Sequence, residues 1–139
     1  QPARICIGIF GVRVEQNPRL PLSYGQNLIV SLAGPLVNLI TFLILTAFGG
    51  MTAAAMVHAV LAFFNLLPVE PLDGGQALYC SLAMHMEAER AEKTVLAVSV
   101  VTVLPLAAAG FYMLIDSGYN FSLLAVSLYL CLLLIFKRK

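Results

Sequence analysis

The chain has 139 residues, of which 60% are hydrophobic and only 11% are charged, and its mean hydropathy is +0.92. A soluble domain is roughly 45–50% apolar and about 25% charged, so this composition excludes an ordinary water-soluble globule and an intrinsically disordered chain. The net charge of +1 gives no basis for nucleic-acid binding. We therefore predict a single-domain integral membrane protein spanning residues 1–139.

The first segment, residues 4–15, is rich in β-branched residues and punctuated by glycine, which is typical of a strand or a short hairpin. Asn17-Pro18 and Pro21 then break the chain. Because a strand exposed to lipid leaves backbone groups unpaired, this segment is expected at the membrane interface or inside a protein cavity. Residues 1–26 are therefore predicted to form a membrane-associated β segment and its approach to the first helix.

Long charge-free runs separate the clusters of charged residues in the rest of the chain. A bilayer core about 30 Å thick requires roughly 20 helical residues, and the first run is long enough for two spans that meet at Gly49-Gly50. The predicted fold is an all-α polytopic membrane protein, with four transmembrane helices after a short membrane-associated β segment. The helices are expected at about residues 27–48, 52–72, 94–115 and 121–136.

This topology places all eight Lys and Arg residues on one side of the membrane. The positive-inside rule assigns that side to the cytoplasm. The N-terminal segment, the loop over residues 74–93 and the C-terminus are therefore expected to face the cytoplasm.

The first predicted helix carries the segment Ala33-Gly-Pro-Leu-Val-Asn38. Glycine allows close helix approach, and Pro35 removes one backbone hydrogen bond. The Asn38 amide at membrane depth requires a partner on a neighbouring helix. Taken alone, the segment favours a kinked helix packed through small residues over a functional role.

A second polar segment, Asn65 to Gly75, ends the second predicted helix with the pattern N-x-x-P-x-x-P-L-D-G-G. Pro68 and Pro71 cannot continue a regular helix, so the backbone is expected to unwind. Irregular backbone at membrane depth is tolerated only against protein or a water-filled cavity, and a carboxylate there is a candidate functional group. The alternative is an interfacial loop in which Asp73 caps the next helix.

This pattern, preceded by A-G-P-x-x-N, resembles the site-2 protease family of intramembrane zinc metalloproteases, and most closely its stage IV sporulation protein FB-like branch. In that family two histidines of an H-E-x-x-H helix and the aspartate of the L-D-G motif hold Zn²⁺. The resemblance assigns Asp73 as the zinc ligand. It assigns Asn65 a place near the substrate or oxyanion, and matches Asn38 to the asparagine of the G-P segment. Such a zinc activates water and polarises the scissile carbonyl.

The chain departs from the family because it contains no H-E-x-x-H, and its two histidines, His58 and His85, lie outside any such pattern. The two histidine ligands are therefore missing here. We expect that the 139 residues are a C-terminal portion of a longer chain and are inactive alone. The alternative is a natural pseudoenzyme.

The resemblance implies a zinc-dependent intramembrane metalloendopeptidase that cleaves a transmembrane protein substrate in the lipid bilayer, here the bacterial cytoplasmic membrane. A regulatory membrane partner is also expected. The β segment is expected to pair with an extended substrate. The alternative function is that of an inactive site-2-protease-like protein which binds or sequesters transmembrane partners. A transporter with a broken helix would require an inverted half, which the sequence does not show.

Overall fold

The computed structural model describes residues 4–8, 11–15, 22–118 and 121–136. Within these residues, two antiparallel strands precede five helices, and Ile5 pairs with Val14 between the strands. The elements in chain order are β1 (Arg4–Gly8), β2 (Gly11–Glu15), α1 (Tyr24–Gly49), α2 (Ala53–Asn65), α3 (Asp73–Ala83), α4 (Ala88–Ser117) and α5 (Ser122–Phe136). The predicted helical class is confirmed.

Several expectations concern the ends of the chain. The association of the β segment with the membrane stays a prediction, as does the cytoplasmic orientation of the termini. The predicted break at Asn17-Pro18 and the basic residues 137–139 lie outside the described residues.

Helix α1 begins at a capping box, three residues earlier than predicted. The Gln26 N–H donates to Ser23 Oγ, and the Ser23 N–H donates to Gln26 Oε1. These bonds satisfy backbone donors that the first helical turn cannot pair internally. The helix has 26 residues, so it measures about 39 Å and is long enough to cross a bilayer.

The prediction of four membrane-spanning helices is wrong: the described residues contain two helices that could span a membrane. Only α1 and α4 are long and apolar enough to cross a membrane. Helices α2 and α5 have 13 and 15 residues, which corresponds to roughly 20 and 22 Å, less than the 30 Å hydrocarbon core. The length of the charge-free run overestimated the length of the second helix, because the helical hydrogen bonds of α2 end near Asn65, before Pro68.

The loop predicted over residues 74–93 is largely helical, because it contains most of α3 and the first turns of α4. Helix α3 packs against α1, where the rings of Tyr24 and Tyr79 meet edge to face at 6.1 Å. Helix α4 begins at Ala88 because the Glu- and Lys-containing stretch before its apolar part consists of good helix formers.

The packing order places α1 beside α2 and α3, α3 beside α4, and α4 beside α5. Many large apolar side chains on these helices are exposed, as lipid contact requires, and the buried core is small. A cluster within it joins Val69, from the segment between α2 and α3, to Val103 of α4 and Leu130 of α5.

Helices α4 and α5 lie close together at Gly110. A β-carbon at this position would lie 2.7 Å from the backbone nitrogen of Leu124, which is closer than a side chain allows. We expect Gly110→Ala to lower the free energy of unfolding by about 1–3 kcal/mol, measured by thermal unfolding in detergent.

The matched control is Gly49→Ala in α1, where the nearest atom to a new β-carbon is Thr52 Cγ2 at 3.7 Å. This variant should be neutral or slightly stabilising, because alanine is the better helix former. Equal melting temperatures for both variants would contradict the close α4–α5 contact.

Candidate functional site at the segment between α2 and α3

The segment of residues 66–72, hereafter the linking segment, joins α2 to α3 without helical structure. Pro68 and Pro71 supply no backbone N–H, so a regular helix cannot run through it. Two tight turns replace the helix: the Val69 N–H donates to the Leu67 carbonyl at 2.7 Å, and the Leu72 N–H donates to the Val69 carbonyl at 2.8 Å. The unwinding predicted from the two prolines is therefore present.

The linking segment lies directly on the first turn of α3. A β-carbon at Gly74 would overlap the Leu66 carbonyl, and one at Gly75 would overlap the Val69 carbonyl. Both glycines are buried. The Gly-Gly pair of the motif therefore permits backbone-to-backbone packing that any other residue would prevent.

Asp73 is the first residue of α3, and its side chain faces α1. A β-carbon placed on Gly34 would lie 3.2 Å from Asp73 Oδ2. The N-cap of α3 is Leu72, and no side chain caps this terminus. The alternative role of Asp73 as a helix cap is therefore not observed. Burial raises the pKa of the Asp73 carboxyl above its ordinary value, because desolvation disfavours the charged form.

Asn38 has the partner on a neighbouring helix that was predicted from the sequence. Its Oδ1 lies 3.0 Å from Nδ1 of His58 on α2. An amide oxygen only accepts hydrogen bonds, so in this contact the imidazole donates from Nδ1. Gly34 and Asn38 are four residues apart and share one face of α1. Asp73 therefore lies against that face at Gly34, and His58 lies against it one turn further along, at Asn38.

Asn65 is the last residue of α2 and is half-buried. It lies at one end of the linking segment, and Asp73 lies at the other. Within the described residues, no hydrogen bond joins Asn65 to Asp73 or to Asn38. The roles predicted for Asn65, Asn38 and Asp73 stay predictions.

The described residues do not make a zinc site among themselves. They contain no group of three or more His, Cys, Asp or Glu side chains that could hold a metal ion. A catalytic zinc requires three protein ligands and an open position. Asp73 supplies one carboxylate, while Nδ1 of His58 is engaged by Asn38.

A cavity of about 210 Å³ lies between the linking segment, α3 and α4. Two carboxylates and a phenol border it, and burial raises the pKa of the Tyr79 phenol. Its lining consists of Glu70, Gly75, Gln76, Tyr79, Glu92 and Val95.

The sequence-based prediction missed Ser99. This residue lies in the apolar part of α4 and is fully buried, and its Oγ accepts a hydrogen bond from the Glu70 N–H at 2.8 Å. A serine within an apolar helix ordinarily bonds to a carbonyl of its own helix, so the sequence alone gave no reason to select it. The signal that could have found it is the unwound backbone, whose buried donors require partners on neighbouring elements.

Comparison with known proteins adds one match. A family model described as Peptidase family M50 matches residues 51–106. These residues include α2, the linking segment, α3 and much of α4, and therefore His58, Asp73 and Ser99. The match supports the site-2 protease family and a membrane metalloprotease-like function, in agreement with the two long apolar helices. No curated protein and no solved structure matches the chain at a stringent threshold.

The His58–Asn38 contact makes a spectroscopic prediction. In protein labelled with ¹⁵N-histidine, the neutral His58 ring should carry its proton on Nδ1, because Asn38 Oδ1 can only accept. Nitrogen chemical shifts measure the tautomer, and His58→Gln assigns the signal. His85, which is exposed near the end of α3, serves as the internal reference. A His58 ring protonated on Nε2 alone would contradict this hydrogen bond.

Proposed function

We propose that the chain forms part of a zinc-dependent intramembrane metalloendopeptidase of the sporulation-protease branch, which cleaves a transmembrane protein substrate. The observation that carries this proposal is the half-buried Asp73 carboxylate, held against Gly34 of α1 where the backbone unwinds. The M50 match over residues 51–106 includes this aspartate. Buried carboxylates beside unwound backbone in membrane proteins are typical of functional sites.

In this proposal Asp73 is the carboxylate ligand of Zn²⁺, and an H-E-x-x-H motif, which these 139 residues do not contain, supplies the two histidines. Asn65 and Asn38 act near the substrate or the developing oxyanion. The Asn38 amide fits such a role because His58 engages its oxygen, which leaves the amide N–H groups as donors. The proposal places the protein in a bacterial cytoplasmic membrane with both termini in the cytoplasm and a regulatory partner controlling access.

The proposed substrate segment adds to the β1–β2 sheet as an extended strand. Strand addition supplies main-chain hydrogen bonds and unwinds the substrate helix, whose peptide bonds are otherwise shielded. The antiparallel pairing of β1 with β2 provides a sheet edge for this purpose.

A second candidate function is a catalytically inactive, site-2-protease-like protein that binds or sequesters transmembrane partners. The observation that favours it is the lack of a three-ligand metal group among the described residues. The gene that encodes the chain discriminates between the two: an H-E-x-x-H in a hydrophobic segment of the same product favours the protease, and its absence favours the inactive protein.

Replacement of Asp73 tests the proposed ligand role. In the full-length protein, Asp73→Ala should lose bound zinc and lower kcat/KM by more than the roughly 10- to 100-fold cost of losing an outer-shell partner. Metal analysis of the purified protein and cleavage of a membrane-embedded reporter measure the two effects.

The control for this experiment is Asp116→Ala, because Asp116 is the chain's other aspartate and is exposed near the end of α4. Wild-type zinc content and activity in Asp73→Ala would refute the ligand assignment.

Proline substitution tests strand addition. Proline removes a backbone donor and is poorly tolerated in a paired strand. Single prolines at Ile5, Ile7, Val12 or Val14 should therefore raise KM for a transmembrane substrate more than for a short unstructured peptide. If none of them changes cleavage, the β segment has no part in substrate binding.

A further inference from the structure

A buried hydroxyl on α4 binds the linking segment. Ser99 Oγ lies 2.8 Å from the Glu70 nitrogen, 2.7 Å from the Val95 carbonyl and 3.4 Å from the Pro68 carbonyl. A hydroxyl has one proton and two lone pairs. The proton therefore goes to the nearer carbonyl, that of Val95, and a lone pair receives the Glu70 N–H.

An apolar contact lies beside this hydrogen bond. The Val69 side chain, next to Glu70, is completely buried against Val103 and Leu130. The segment is thus held on the α4–α5 side at two consecutive residues: the Val69 side chain packs against both helices, and the Glu70 N–H donates to Ser99.

A short hydrogen-bonded turn connects these contacts to Asp73. The turn from Val69 to Leu72 is closed by the Leu72 N–H bond to the Val69 carbonyl at 2.8 Å. The same carbonyl packs on Gly75, in the first turn of α3. Asp73 lies between Leu72 and Gly75, so the place of its carboxylate against Gly34 follows from where the turn is held.

We propose that Ser99 is a positioning residue, which fixes the linking segment to α4 and thereby sets the position of Asp73 against α1. The inference rests on the proposed function for its effect on cleavage, and on the hydrogen bonds alone for its effect on the backbone. Ser99 does not touch Asp73. It acts through the Glu70 amide and the turn that follows.

Ser127 on α5 provides a matched control. It is also fully buried, and its Oγ donates to the Leu124 carbonyl of its own helix at 2.9 Å. Removing that hydroxyl alters packing and one hydrogen bond whose partner lies within α5 and not in the linking segment. Differences between Ser99→Ala and Ser127→Ala therefore report the attachment of the segment, and not the loss of a buried hydroxyl in general.

The experiment compares Ser99→Ala, Ser99→Cys, Ser99→Thr and Ser127→Ala in the full-length protein. Hydrogen exchange at residues 66–75, thermal unfolding, and kcat and KM for a membrane-embedded reporter are measured. In Ser99→Ala the Glu70 amide should exchange roughly tenfold faster, because its acceptor is lost. The value of kcat should fall roughly 10- to 100-fold with little change in KM, as expected when a reacting group is misplaced.

The threonine variant retains the hydroxyl and should restore both exchange protection and kcat. The cysteine variant fills the space with a weaker acceptor and should lie between alanine and wild type; it also replaces the alanine variant should that protein not fold. Unchanged Glu70 exchange in Ser99→Ala and Ser99→Cys would overturn the inference, as would equal losses of kcat in Ser99→Ala and Ser127→Ala. Failure of the proposed function is a different result: Asp73→Ala stays active while the Ser99 exchange pattern persists.

Discussion

Backbone groups that leave a helix beside a membrane must find hydrogen-bond partners within the protein, and this constraint organises the region between α2 and α3. Two prolines reduce the number of donors, and the donors that remain are paired locally or with Ser99. The glycines that follow let carbonyl groups lie on the first turn of α3. An irregular segment is thereby packed directly against the start of α3.

Helix α1 is the surface against which the polar residues of this region are arranged. Gly34 has no side chain and leaves room for the Asp73 carboxylate, while Asn38, one turn along, bonds to His58. Two polar groups from different elements are thus brought to the same face of one long apolar helix. Because polar groups at membrane depth are costly without partners, this arrangement is consistent with the function proposed for the region.

The errors in the predicted topology have a common physical cause. Hydropathy detects where charges are absent, whereas the end of a helix depends on where its hydrogen bonds stop. Charge-free sequence continues past Asn65, but the prolines end α2 there. Conversely, residues 74–93 were expected to be a loop because charged residues cluster there, although Asp73–Ala83 form α3, which packs against α1 and α4.

The amino-acid sequence by itself predicted a helical membrane protein and the unwound backbone at Pro68 and Pro71, since composition and local sterics suffice for these, whereas Asp73 was selected through the resemblance that its motif carries. Only the tertiary structure decided that Asp73 lies against Gly34, that His58 bonds to Asn38, and that Ser99 holds the Glu70 amide. Each of these contacts joins residues 20 to 39 positions apart. Contacts of that kind depend on how helices pack side by side, which no local pattern of residues specifies.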